Sequence, residues 1–212
     1  MKKDKKEYAA KIIKILSKEF GKLECPLGFS SPFELLTAVI LSAQCTDERV
    51  NKITPALFKR YKKIKDYAGA DPEELQGYIR SAGFFRNKAK NIIGSAKTVL
   101  SSFNGEVPQT MDEILKLPGV ARKTANVVLA NAFGKSEGIA VDTHVIRISN
   151  LLGLTKNADP VKIEKDLTKT VPRKHWTDFS FLIQTLGRRI CKARNPNCAE
   201  CPLNKICPGA RI

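Results

Sequence analysis

One interruption in a helical stretch constrains this chain more than any other feature. Residues Thr110 to His144 read TMDEILKLPGVARKTANVVLANAFGKSEGIAVDTH. Thr110 with Glu113 three residues on has the pattern of a capping box, so a short helix is expected to start at Met111. Leu117-Pro118-Gly119-Val120 then breaks it, because Pro118 cannot continue a helix and Gly119 can take a positive φ. Helical periodicity returns at Arg122, with Val127, Val128, Leu129 and Ala130 as its apolar part. The pattern predicts helix, tight glycine hairpin, helix. Backbone N–H groups freed along Gly119, Val120, Ala121 and Arg122 suit the grip of one phosphate. Lys123 falls in the second helix's first turn. There the positive end of the dipole opposes its ammonium, an unusual place for a lysine kept only for solubility.

Helix starts recur along the rest of the chain, and strand signals are scarce. Ile12, Ile13, Leu16 and Phe20 form one face of an amphipathic N-terminal helix. Ser31-Pro32-Phe33-Glu34 is a capping box with proline at the first helical position. The LLTAVILSA that follows is apolar all round, which predicts a central, buried helix. Thr46 can cap a helix to about Tyr61. Asp71-Pro72 opens another, which Gly83 ends, and 85–103 reads as a long basic helix. Asp142 or Thr143 caps a helix to about Leu152, Asp159-Pro160 opens the next, and 174–190 forms the last. His175, Trp176 and the segment 179–181 read as core. The expected class is all-α, with about ten helices.

Lys and Arg number 37 against 21 Asp and Glu, a net charge of +16 over 212 residues. That excess points to a polyanion, most simply nucleic acid, although a highly charged surface of another origin gives the same sum. The start is basic, but Lys11, Lys14, Lys18 and Glu19 interrupt any apolar core of a signal peptide. No apolar run approaches membrane-spanning length. A cytosolic protein without a membrane partner is expected, and its six cysteines should not be read as disulfides.

Three groups carry the candidate chemistry. Lys123 can act as a nucleophile if its site favours the neutral amine; it can equally be a phosphate contact. Asp142 can stabilise positive charge developing on a sugar, or simply cap the helix it opens. Cys191, Cys198, Cys201 and Cys207 form C-x6-C-x2-C-x5-C, the density of a metal site. That spacing alone leaves zinc and iron–sulfur both open. Cys25 and Cys45 read as small buried hydrophobes.

The hairpin with Lys123, followed by Val141-Asp142-Thr143-His144, resembles the endonuclease III family of base-excision-repair glycosylases. The likeness runs from about Phe33 to Cys207. One departure is Gly119-Val120-Ala121, where the family usually has Gly-Val-Gly. The resemblance implies an all-α fold in two helical domains. A six-helix barrel-like domain with the helix-hairpin-helix would span 24–135, and a smaller iron–sulfur domain would combine 1–23 with 136–212. It implies one [4Fe-4S] cluster on the four cysteines, whose spacing matches the family motif, with Lys192 and Arg194 of the intervening loop at phosphates. Gln44 matches the residue that fills the gap left by a flipped base. Ser81-Ala82-Gly83-Phe84 matches a second wedge loop. Ala82 is small for a wedge, so Phe84 is the expected substitute. Asp47 and His144 match positions near the pocket, and His144 also reads as a hydrogen-bonded structural histidine.

The function so implied is a bifunctional DNA glycosylase and abasic-site lyase. Oxidised pyrimidines in double-stranded DNA would be its substrates, and Lys123 and Asp142 its catalytic pair. The enzyme would be a cytoplasmic, nucleoid-associated monomer. Two rivals remain: a monofunctional mismatch or adenine glycosylase, and a non-catalytic DNA-binding protein that senses redox state. The first lacks such a lysine and carries an extra C-terminal domain, whereas this chain ends at Ile212. Both Lys123 and Asp142 speak against the second.

Overall fold

The computed structural model describes residues 4–211; Met1–Lys3, the basic start of the chain, and Ile212 lie outside the described residues. Among the described residues there are helices and no strand. In chain order they are α1 Lys5–Phe20, α2 Pro32–Ser42, α3 Asp47–Arg60, α4 Ile64–Ala68, α5 Pro72–Ile79, α6 Phe85–Ser102, α7 Met111–Ile114, α8 Arg122–Phe133, α9 Thr143–Leu151, α10 Pro160–Thr170 and α11 Trp176–Arg189. Short 3-10 turns lie at Arg80–Ala82 and Arg173–His175. The element missing from the sequence reading is α4, whose 5 residues are too few to show a period. Its start is held by the Asp66 carboxylate, which accepts the N–H groups of Lys62 at 3.0 Å and Lys63 at 2.8 Å. No described helix is long and apolar enough to cross a membrane.

The chain divides into two compact units, Cys25–Lys135 and the residues up to Glu24 together with those from Ser136 onward. In the first, α2 is the centre. Phe33 and every residue from Leu35 to Leu41 are buried, and α3, α6 and α8 pack around them. Each such large apolar side chain contributes roughly 1.5–3 kcal/mol when removed from water. One cap is worth about 1 kcal/mol, so the core face fixes where this helix sits. The Ser31 hydroxyl accepts the Glu34 N–H at 3.2 Å as expected. Glu34 does not complete the expected box: its carboxylate takes the N–H and hydroxyl of Ser30, at 2.6 and 2.5 Å.

The break at 117–121 forms a hairpin. Here α7 is only 4 residues long. Its expected capping box does not form, because the Thr110 hydroxyl donates to the Glu113 carboxylate at 2.7 Å and accepts no backbone N–H. Leu117 and Val120 are buried and anchor the turn, which the Val120 N–H closes onto the Leu117 carbonyl at 3.1 Å. The Ser95 hydroxyl of α6 donates to the Pro118 carbonyl at 2.8 Å. Gly119 has φ +77°, and a Cβ there would lie 2.6 Å from Asn91 Nδ2. Conformation and space both demand glycine.

In the second unit the apolar face of α1 (Ala9, Ile12, Ile13 and Leu16) packs against α10 and α11. Phe179, Leu182, Ile183 and Leu186 are the buried face of α11. The core reading of 175–181 needs correction. Phe179 is fully buried, but His175, Trp176 and Phe181 are half-buried. The indole N–H of Trp176 is satisfied by the Val171 carbonyl at 2.9 Å.

Candidate active site and metal centre

Lys123 stands second in α8, directly after the hairpin. The helix is capped by Ala121, which offers no side-chain acceptor, and no acidic residue lies in its first turn. The start of α8 therefore keeps its positive end for an external anion. Ala121 has φ −95° and ψ 170°, extended backbone that any residue adopts, so its methyl introduces no strain. The Lys123 side chain is exposed. In the free protein this amine is open to water, which can be excluded from it only by something that covers it. Arg122 is half-buried beside it.

In the other unit Asp142 caps α9: its Oδ1 accepts the Val145 N–H at 2.8 Å. The residue is half-buried. The cap uses one carboxylate oxygen and holds the plane of the group, so capping and charge stabilisation are compatible in one side chain. His144 is held in place as the structural reading expects. Its ring lies against Gly187 of α11, where a Cβ would come within 2.4 Å of Nδ1. Its Nδ1 is 3.4 Å from the Arg147 guanidinium. Asp47 opens α3 behind the Thr46 cap.

Gln44 and Phe84 share a backbone state that sequence cannot show. Both have positive φ, 53° and 48°, although neither is glycine. Such residues are uncommon, and a left-handed phenylalanine is a strained exception. Both side chains are exposed, and Phe84 is 68% accessible. Ala82 is 2% accessible and does not reach solvent, so Phe84 is the projecting group of that loop.

Cys191, Cys198, Cys201 and Cys207 line one cavity of about 200 Å³. All of the cysteines are free thiols. The four thiols line one volume, and cysteine thiolates are the side chains that hold iron–sulfur clusters. Burial, and then the neighbouring thiols, push Cys201 and Cys207 above the ordinary thiol range. A bound cationic centre reverses that balance by taking thiolates. Lys192 and Arg194 lie exposed on the loop between the first two cysteines. That loop is closed by Asn197 N–H donating to the Ile190 carbonyl at 3.1 Å. Cys25 and Cys45 are half-buried against the first unit's core rather than fully buried.

Sequence reasoning missed two side chains here. Arg147 donates to Cys191 Sγ at 3.4 Å, and the Tyr8 hydroxyl donates to the Ile206 carbonyl at 3.0 Å. Burial, with Cys207 nearby, pushes the Tyr8 phenol up to about 12. Neither contact leaves a local signal, since each joins segments more than forty residues apart.

Hairpin, capping aspartate and cysteine loop together define a helix-hairpin-helix base excision repair protein. Residues 37–173 match the HhH-GPD superfamily base excision DNA repair protein model, and 191–207 match the iron–sulfur binding domain of endonuclease III. Endonuclease III of Synechocystis sp. is 55% identical over 207 residues, covering 98% of this chain and 94% of the relative. That of Bacillus subtilis is 50% identical, covering 89% and 86%. The solved structure of a trapped endonuclease III–DNA covalent intermediate, an estranged-adenine complex, superposes with a TM-score of 0.91 at 44% identity, covering 97% and 96%. The chain belongs to the endonuclease III family.

It carries a single iron–sulfur cluster, and the four cysteines around the cavity fit it as thiolate donors. Purified protein should be yellow-brown with about four irons per chain, the content of a [4Fe-4S] centre. Iron analysis and a visible spectrum check this, and stoichiometric zinc without iron in carefully prepared protein contradicts it. Cys198→Ser should lower the stability of the C-terminal segment, because ligation and local folding are coupled.

Proposed function

We propose that Lys123 is the nucleophile and Asp142 the charge-stabilising carboxylate of this enzyme, which is a DNA glycosylase with abasic-site lyase activity. The neutral Lys123 amine attacks C1′ of an extruded damaged nucleotide. The base leaves with the electron pair of the glycosidic bond and takes up a proton. Positive charge on the sugar at this step is what the fixed carboxylate of Asp142 opposes. The nitrogen, having lost one proton, then forms the C1′=N bond with its lone pair as the C1′–O4′ bond breaks and O4′ takes up a proton, which opens the sugar ring and leaves the protonated Schiff base. Removal of a C2′ proton then expels the 3′-phosphate by β-elimination. The substrates are oxidised pyrimidines in duplex DNA, and the enzyme works as a cytoplasmic, nucleoid-associated monomer without a membrane partner.

The observation that carries this reading is the position of Lys123. It is an exposed lysine one step into a helix whose cap leaves the start open to a phosphate. Bound DNA would cover the amine and exclude the water that surrounds it in the free protein. A purely phosphate-binding lysine at this place predicts binding without chemistry. An assay on duplex containing one abasic site separates the two: strand cleavage on the 3′ side supports the proposal, and binding without cleavage overturns it.

DNA grip rests on the hairpin amides of Gly119 and Ala121, on Arg122, and on Lys192 and Arg194 of the cysteine loop; the Val120 N–H, which the sequence also offers to a phosphate, is taken by the Leu117 carbonyl. The cluster's part is to hold that loop. With roughly four to six phosphates neutralised, the slope of log affinity against log salt should be about −4 to −5. Arg194→Ala should flatten it by about one unit and leave lesion preference unchanged. Titrations at several salt concentrations measure this, and a salt-independent affinity contradicts it.

A further inference from the structure

A buried lysine that the chemistry does not use lies between the two loops carrying Gln44 and Phe84. Lys88 belongs to α6 and is only 4% accessible. Its Nζ donates to the Leu41 carbonyl at 2.8 Å and to the Ala82 carbonyl at 2.9 Å. Leu41 lies in the last turn of α2, where helical carbonyls lack a partner of their own. Ala82 ends the 3-10 turn Arg80–Ala82. Three residues beyond Leu41 stands Gln44, and two beyond Ala82 stands Phe84, both exposed and both left-handed. The backbone N–H of Lys88 also donates to the Phe84 carbonyl, at 3.1 Å. One residue thus ties both loops at their roots.

Burying an ammonium is unfavourable, and an apolar side chain of the same length fills such a space without the desolvation penalty. Desolvation accordingly holds the Lys88 pKa below the ordinary lysine value. What the ammonium supplies and an apolar chain cannot is donation to two carbonyls of different elements at once. The separation of the two loops is then fixed by one tetrahedral nitrogen, a short and stiff spacer.

We propose that Lys88 is a positioning residue for base extrusion, clamping the Gln44 and Phe84 loops at one separation so that both side chains enter the duplex together. The inference rests on reading Gln44 as the residue that fills the gap left by the base and Phe84 as the wedge. Extruding a paired base carries an unstacking and unpairing penalty that an unpaired nucleotide largely avoids. A loosened clamp therefore harms the first substrate more than the second.

The test compares single-turnover excision of one lesion in a fully paired duplex and in the same duplex lacking the opposing nucleotide. Lys88→Met should slow excision from the paired duplex about tenfold, and from the unpaired lesion by less than about threefold. Gln44→Ala and Phe84→Ala are run beside it. If those two leave the paired-to-unpaired ratio unchanged, the wedge reading falls and the clamp with it. If they shift the ratio and Lys88→Met does not, the clamp alone is overturned. Equal slowing on both substrates by Lys88→Met marks a merely structural lysine and also overturns it. Should the methionine variant fail to fold, Lys88→Gln, which keeps one donor group, reads the same ratio against the same outcomes.

Discussion

Lys123→Gln should lose base release, strand cleavage at abasic sites and borohydride trapping together, each by ~10³ or more, as when a covalent nucleophile is removed. An amide has no basic lone pair on nitrogen, so neither attack on C1′ nor a Schiff base is open to it. Binding of abasic DNA should survive. The turn at Leu117–Val120 is set by Gly119, by the two buried anchors Leu117 and Val120, and by the Ser95 bond to Pro118, none of which involves Lys123. Its exposed side chain also supports no part of the core. Loss of one cation should flatten the salt slope by about one unit. Binding titrations, product analysis and trapping on one preparation check all of these outcomes. Near-normal strand cleavage by this variant refutes the assignment.

Asp142→Asn should slow excision of a damaged base by ~10²–10³, the effect expected when one fixed electrostatic stabiliser is removed. The fold should persist. The cap is made by Oδ1 to the Val145 N–H at 2.8 Å, and asparagine offers the same carbonyl oxygen. A stability loss therefore cannot stand in for the catalytic one, and a thermal melt run with the kinetics shows this. On a preformed abasic site the defect should be smaller, since the glycosidic bond whose cleavage builds the charge is already broken. Full activity on a damaged base, or equal defects on both substrates, contradicts the role given to Asp142.

Much of the fold can be read from local signals because those signals are physically strong. Proline after a serine or aspartate set the starts of α2, α5 and α10, and an all-apolar run made α2 the centre of its unit. Local signals failed where a second local partner, a few residues away, competed. Glu113 drew the Thr110 hydroxyl into a side-chain bond instead of a box, and Glu34 turned to Ser30. Trp176 looks like core by its aromatic bulk, yet its indole N–H donates to the Val171 carbonyl and part of the ring stays exposed.

The candidate site shows the same division. Lys123, Asp142 and the four cysteines carry their chemistry in residue type and spacing, which a sequence displays. What Ala121 does to the hairpin depended on its φ, and the choice between Ala82 and Phe84 on which of them projects. Lys88 left no trace at all. A lysine on a basic helix looks solvated until the carbonyls of Leu41 and Ala82, 47 and 6 residues away, are brought to it.

The central claim is that Lys123 itself becomes joined to the sugar. The direct measurement is borohydride reduction during turnover on an abasic duplex, then proteolysis and mass mapping of the linked peptide. The account predicts a single adduct, on Lys123, at the first turn of α8. An adduct on another lysine or on the N-terminal amine, or cleavage with no adduct at all, would contradict it.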